Sequence, residues 1–211
     1  MSLISVLEET PAFFISFITI IGLMVGSFLN VVISRLPVMM KRSWLQQCAE
    51  LRDEPIAELP VFNLITPRSA CTQCGHKLSA LENIPVISYL FLRGRCSQCQ
   101  TRISLCYPLV ETVTALMSGF VAWHFGFGWL TVATLFFVWA LIALAVIDLN
   151  TQLLPDDITL PLLWAGLLVN MNNGFTDIHS AIIGAVAGYL SLWCIYWCFK
   201  LITGKEGMGY G

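Results

Sequence analysis

Pro11 to Ser34 is a run of 24 residues without one charge, and about 20 apolar residues suffice to cross the hydrocarbon of a bilayer. A cleaved signal peptide would start basic and carry a shorter apolar core. Here the preceding residues include Glu8 and Glu9 and no Lys or Arg, and no small-residue cleavage site follows. The run is therefore expected to be a retained transmembrane helix. Composition agrees: hydrophobic residues make up 57% of the chain and charged residues 11%, against about 25% charge in a soluble domain. The reading is an all-α polytopic membrane protein.

The basic residues are unevenly placed. Nine of the eleven fall between Arg35 and Ser104, namely Arg35, Lys41, Arg42, Arg52, Arg68, Lys77, Arg93, Arg95 and Arg102. An excess of Lys and Arg marks the cytoplasmic side, so this loop is expected inside and the N-terminus in the periplasm. Leu105 to Phe125 then crosses outward, Trp129 to Ile147 returns, Ile158 to Met171 crosses again and Ile178 to Ile202 comes back. Glycine-bearing turns lie at Gly126-Phe127-Gly128 and Asn172-Asn173-Gly174. This gives about five transmembrane helices and three regions: 1–34 as the first span, 35–104 as a cytoplasmic loop domain, and 105–211 as a transmembrane core. Basic residues interleaved with aromatics occur nowhere outside the cysteine-bearing loop, so nucleic-acid binding has no support.

Within the loop, Val38 to Glu54 has the pattern of an amphipathic helix, lying on the inner membrane surface or packed on the loop domain. Cys71-Thr72-Gln73-Cys74-Gly75 and Cys96-Ser97-Gln98-Cys99 form two C-x-x-C pairs. That arrangement predicts a tetrahedral four-thiolate zinc site on Cys71, Cys74, Cys96 and Cys99 in a zinc-ribbon-like loop. Disulfides or free thiols are the competing readings, and a reducing cytosol argues against disulfides. Four protein ligands leave no open position, so the zinc is expected to be structural. Lys77, Arg93 and Arg95 are expected to help keep the thiolates ionised. His76 reads as a surface residue rather than a fifth ligand.

Polar residues in the apolar segments are the functional candidates. Asp148 stands at the mouth of the Trp129–Ile147 run. Glu111 is expected to pair with Arg35 or Arg102, or to act beside the active site. Asn30 is expected to bond a neighbouring helix. Asp156 and Asp157 look like N-cap and first-turn acids of the helix that follows. Because Ile158 to Met171 is short for a span, Leu149 to Asp157 is expected to wall a pocket dipping into the membrane, faced by the Gly207–Gly211 turn.

Several segments together resemble the type IV prepilin peptidases. They are Gly26-Ser27-Phe28-Leu29-Asn30-Val31-Val32-Ile33-Ser34-Arg35-Leu36-Pro37, Pro67-Arg68-Ser69, Glu82-Asn83-Ile84-Pro85 with Ser88-Tyr89-Leu90, Arg93-Gly94-Arg95-Cys96, Tyr107-Pro108-Leu109-Val110-Glu111, and Asp148 with Leu154-Pro155-Asp156. Gly209-Tyr210-Gly211 resembles the glycine-x-glycine that precedes the family's second aspartate. The resemblance, to the bifunctional zinc-containing branch, implies a bacterial inner-membrane aspartyl peptidase. Asp148 would be the first of two catalytic aspartates, and the second is expected just beyond residue 211. It implies removal of the basic leader of prepilins or pseudopilins, and then N-methylation of the new terminus by S-adenosylmethionine. It also ties the four cysteines to the loop. The other reading is a zinc-ribbon membrane scaffold or assembly protein in which Asp148 is an interfacial acid.

Overall fold

The computed structural model describes residues 3–55, 60–71, 73–79 and 81–204. Among the described residues it is mostly helical with no strand. The Gly207–Gly211 turn lies outside them. Seven helices follow in order: α1 (Leu3–Glu9), α2 (Pro11–Leu51), α3 (Ile87–Phe91), α4 (Cys106–Phe125), α5 (Trp129–Thr151), α6 (Asp156–Met171) and α7 (Ile178–Thr203). Three of them, α2, α5 and α7, are long and apolar enough to cross a membrane. Of the five segments expected to span, α4 and α6 are helices but do not meet that measure. In α4 the polar Glu111, Thr114 and Ser118 are buried rather than presented outward.

Helix α2 corrects the expectation of two helices. It runs 41 residues without a break and includes Pro37. Pro37 removes one backbone bond and crowds the preceding turn, but no glycine follows it and the next residues are good helix formers. The helix stops where Asp53 takes φ 53° and Glu54 precedes Pro55, since a residue before proline disfavours the α region. The segment expected as a separate surface helix is thus the end of the first one. At ~1.5 Å per residue α2 is ~60 Å long, twice the ~30 Å of hydrocarbon.

Helices α1 to α5 belong to one compact unit, Met1–Gln152, and α6 with α7 to a second, Leu153–Gly211. In the first unit α2 and α4 pack antiparallel through small residues. Gly22 and Gly26 form a G-x-x-x-G face that lets the two backbones approach. A Cβ on Gly22 would meet the Ser118 side chain, and one on Gly26 would lie 2.7 Å from the Glu111 Cα. One turn along, Gly119 faces the Thr19 hydroxyl. Ser118 also accepts the indole N–H of Trp139 from α5 at 2.9 Å. Two apolar clusters complete the unit: Leu7, Phe14, Ile18, Val121, Ala122 and Leu135 at one end, and Leu29, Ile33, Val110, Ala143 and Ile147 at the other.

Gly26→Ala should therefore destabilise the unit at the upper end of the ~1–3 kcal/mol typical of overpacking, because the obstacle is backbone. Gly166→Ala in α6, where a Cβ meets nothing within 4 Å, should be neutral or mildly stabilising. Thermal unfolding in detergent distinguishes the two.

Two boundaries differ from expectation. Helix α5 continues past Ile147 to Thr151 and ends on Gln152 at φ 55°. Helix α6 starts at Asp156, with Pro155 in the N-cap position. Only Gln152 to Pro155 is non-helical, not Leu149 to Asp157. Asp156 and Asp157 are both first-turn acids, so Asp156 is not the cap. Their charge still complements the helix dipole. In the second unit Asp177 caps α7, accepting from the Ser180 N–H at 2.9 Å and its hydroxyl at 2.7 Å.

Candidate functional site

The first focus is the cysteine loop. Cys71 to Gly75 and Cys96 to Gln100 fold into matching knuckles. In the first, the Gly75 N–H donates to the Cys71 carbonyl at 2.9 Å and the Cys71 N–H to the His76 carbonyl at 2.8 Å. In the second, Gln100 N–H donates to the Cys96 carbonyl at 3.1 Å and Cys96 N–H to the Thr101 carbonyl at 2.9 Å. Each needs a left-handed residue four places after its first cysteine. Gly75 supplies it at φ 71°, and Gln100 does so at φ 58°. Single antiparallel bridges, Ala70 to Lys77 and Arg95 to Arg102, close the two loops.

These knuckles bring the four Sγ atoms within 4.8 Å of one another. Cys71 and Cys99 are 3.8 Å apart, and Cys74 and Cys96 are 3.9 Å apart. A disulfide needs ~2.05 Å, so all four are free thiols. Around a tetrahedral ion with ~2.3 Å metal–sulfur bonds, the sulfur–sulfur edges would be ~3.8 Å, which these two pairs match, so the cluster can hold a metal ion. The thiols compete for charge. Backbone N–H groups of Cys74 and Gln73 lower Cys71. The Thr101 hydroxyl and N–H hold Cys99 near about 6. Cys74 is lowered by the His76 N–H, but desolvation and its three thiol neighbours prevail and push it up to about 11. Backbone dipoles and a hydroxyl do this work, where Lys77, Arg93 and Arg95 had been expected to.

Glu82 clamps the two knuckles together. Its carboxylate accepts from the Ser97 hydroxyl in the second knuckle and from the Ser79 N–H at 2.8 Å. It also pairs at 3.3 Å with His76 beside the first knuckle. His76 is therefore a partly buried partner of Glu82, neither a surface residue nor a ligand. Sequence reading placed Glu82 in a family segment but assigned it no role, although Ser79 three residues before it is the capping-box signal. The Ser97 and Ser79 hydrogen bonds hold the Glu82 carboxyl down at about 2. A depressed carboxyl contributes stability above its ordinary range near 4.3 and loses it as pH falls toward 2. The clamp is thus intact at neutral pH. There Glu82→Gln should speed metal loss to a chelator on the order of 10-fold, as outer partners of metal ligands commonly do. A release rate equal to the parent's would show that the clamp does not hold the knuckles.

The second focus is Glu111, buried between α2 and α4 at 8% exposure. It makes no ion pair with Arg35 or Arg102. Its carboxylate accepts the Val86 N–H at 2.7 Å, and the side chains of Ser27 and Asn30 lie beside it. Asn30 also donates to the Tyr107 carbonyl at 3.1 Å, so it does bond the neighbouring helix. Arg35 is engaged elsewhere. It donates to the Asn63 carbonyl at 2.9 Å, and with Arg42 it flanks the Phe62 ring, at 5.9 and 4.6 Å.

The third focus is Asp148, half-buried in the last turn of α5. Ile147, fully buried, anchors this turn against Leu29, Ile33 and Val110. Among the described residues nothing pairs with the Asp148 carboxylate. It stands with Glu111 in the first unit, and Asp156 belongs to the second.

Residues 20–125 match the Bacterial Peptidase A24 N-terminal domain, and residues 135–211 match the Type IV leader peptidase family. The chain belongs to the type IV leader peptidase family. It is 52% identical over 212 residues to the prepilin leader peptidase/N-methyltransferase of Pseudomonas aeruginosa, covering 100% of this chain and 73% of that protein. The proteins of the same name from Pseudomonas putida and Aeromonas hydrophila are each 53% identical, over 100% and 99% of this chain and 73% of their own length. No solved structure matches the chain. The family's segments meet in space in the first unit. Gly26 and Asn30 from one meet Glu111 and Tyr107 from another, and the N–H of Val86, next to Pro85 of a third, closes on Glu111.

Proposed function

We propose that this protein is a membrane aspartyl peptidase that removes the leader of type IV prepilins or pseudopilins and then N-methylates the exposed terminus. The observation that carries this is identity above one half, over the whole chain, to three proteins bearing both activities in their name. The scaffold reading gives no account of that.

Asp148 is the first catalytic carboxylate, and its partner is the aspartate that the family motif places after Gly211. Two carboxylates sharing a site do not readily both ionise, so one keeps a proton while the other activates water. A half-buried, unpaired acid at the end of a span suits that role. A prepilin joins a basic leader to an apolar helix, so its scissile bond lies at a membrane boundary, where the last turn of α5 also lies. The side is cytoplasmic, with the N-terminus periplasmic, because nine of eleven basic residues lie in the 35–104 loop. The membrane is the bacterial inner membrane.

Cys71, Cys74, Cys96 and Cys99 hold zinc, which as a closed four-sulfur site supplies structure rather than a reactive water. S-adenosylmethionine supplies the methyl group. Among the described residues no glycine-rich turn between strand and helix is present to cradle it.

The test is direct. Reconstituted protein extended through that second aspartate, S-adenosylmethionine and a peptide with a basic leader ahead of a phenylalanine-led apolar helix should yield the shortened peptide carrying one added methyl by mass spectrometry. A peptide that stays intact would overturn the reading. Cleavage without methylation would remove the second activity.

A further inference from the structure

The α2–α4 contacts give a depth scale. Gly119 faces Thr19, Glu111 faces Gly26, and Tyr107 faces Asn30. The first charge on α2 is Arg35. At ~1.5 Å per residue, Ser27 and Asn30 stand ~12 and ~7 Å to the apolar side of Arg35. Glu111, which packs on Gly26 beside both of them, accepts the Val86 N–H. The loop backbone at Val86 therefore reaches below the level of Arg35, into the depth range of the spans. Non-helical backbone is tolerated there only when its polar groups have protein partners. Val86 meets that condition. A tight turn, with the Ile87 N–H donating to the Pro85 carbonyl at 2.5 Å and Val86 at φ 57°, frees its N–H for Glu111.

Helix α3 follows directly from that turn. Its Ile87, Leu90 and Phe91 are 48%, 69% and 85% exposed. The Tyr89 hydroxyl donates to the Ile103 carbonyl at 3.4 Å, which ties α3 to the chain entering α4. There the outward residues Leu105 and Leu109 are 72% and 63% exposed. The apolar patch is thus continuous with the outward face of α4. It is followed by Arg93, Arg95 and Arg102, all exposed. None of the three pairs with a carboxylate among the described residues.

We propose that Pro85 to Phe91 is an interfacial wedge that dips into the leaflet on the Arg35 side, with Ile87, Leu90 and Phe91 among acyl chains and the three arginines at the phosphates of anionic lipids. Apolar side chains in the boundary region with basic residues at the headgroups is the arrangement that binds a lipid surface. The wedge fixes the cysteine loop against the membrane at a set height. None of this depends on which reaction the protein catalyses.

Trifluoromethylphenylalanine placed singly at positions 91, 24 and 51 reads depth by fluorine NMR. Met24 lies within the apolar run of α2 and Leu51 at its far end. The intact protein is reconstituted in vesicles of phosphatidylethanolamine and phosphatidylglycerol. A nitroxide near the carboxyl end of a lipid chain should relax position 91 about as strongly as 24 and several-fold more strongly than 51. A water-soluble gadolinium chelate should show the reverse order. Position 91 behaving like 51 would overturn the wedge. Shielding from both reagents would also overturn it, since a protein partner or substrate would then cover the patch. Replacing Arg93, Arg95 and Arg102 together by Gln should weaken the lipid effect at 91 when phosphatidylglycerol is present. An unchanged effect would remove the arginines from the wedge.

Discussion

In a chain that includes the second aspartate, Asp148→Asn should abolish leader removal while the protein still inserts and accumulates normally. An amide of the same shape can neither share nor transfer the proton, and a positioned acid–base group is typically worth ~10²–10⁴-fold in rate. The fold should tolerate the change. No described residue pairs with the carboxylate, so the amide orphans no partner, and the turn is held by the fully buried Ile147. Asp156→Asn is the matched control. Asp156 is exposed in the first turn of α6, and removing its charge should cost at most ~1 kcal/mol of helix-dipole energy. Processing of a prepilin substrate, followed by gel shift in vesicles, checks both. Normal processing by Asp148→Asn would refute its catalytic role. Equal loss in both variants would point to damage to the fold rather than to proton transfer.

Three helices long and apolar enough to span were legible, because charge-free runs of that length have few alternatives in a protein. The cysteine centre was legible because C-x-x-C spacing fixes a local turn. What was misread turned on local continuity in one case and on a distant or backbone partner in the others. The first span and the Val38–Glu54 helix were expected to be separate, yet α2 runs through Pro37, since one lost hydrogen bond is small against fourteen further residues of helix (38–51). Glu111 was expected to seek an arginine, because a lone acid in an apolar segment reads as half of an ion pair. Its actual partner is a backbone N–H from the loop, and no charge pattern announces a backbone donor. Arg35 meanwhile uses its guanidinium on the Asn63 carbonyl and Phe62. The left-handed Gln100 was invisible for a similar reason: only comparison with Gly75, one knuckle earlier, shows the turn requires that conformation.

Removing one thiolate should empty the metal centre. Cys71→Ser and Cys96→Ser should each reduce zinc from one per chain to near none by elemental analysis, because a tetrahedral site loses a quarter of its ligands and a hydroxyl is a poor substitute for a thiolate. In small zinc domains metal binding supplies ~10–16 kcal/mol of folding free energy, so the knuckles should loosen together. Hydrogen exchange reads this at the Gly75 and Gln100 amides, which close the two turns and should lose protection in both variants. The Cys96 variant should suffer more, since Cys96 is 3% exposed and its serine would bury an unsatisfied hydroxyl. The Val86 amide provides the contrast. Its acceptor is Glu111 in α4, not a ligand loop, so it should stay protected after the metal is gone. Loss of protection at Val86 as well would mean that the metal holds the loop to α2 and α4, and not only the two knuckles to each other. Freshly purified, reduced parent protein without zinc would refute the centre itself.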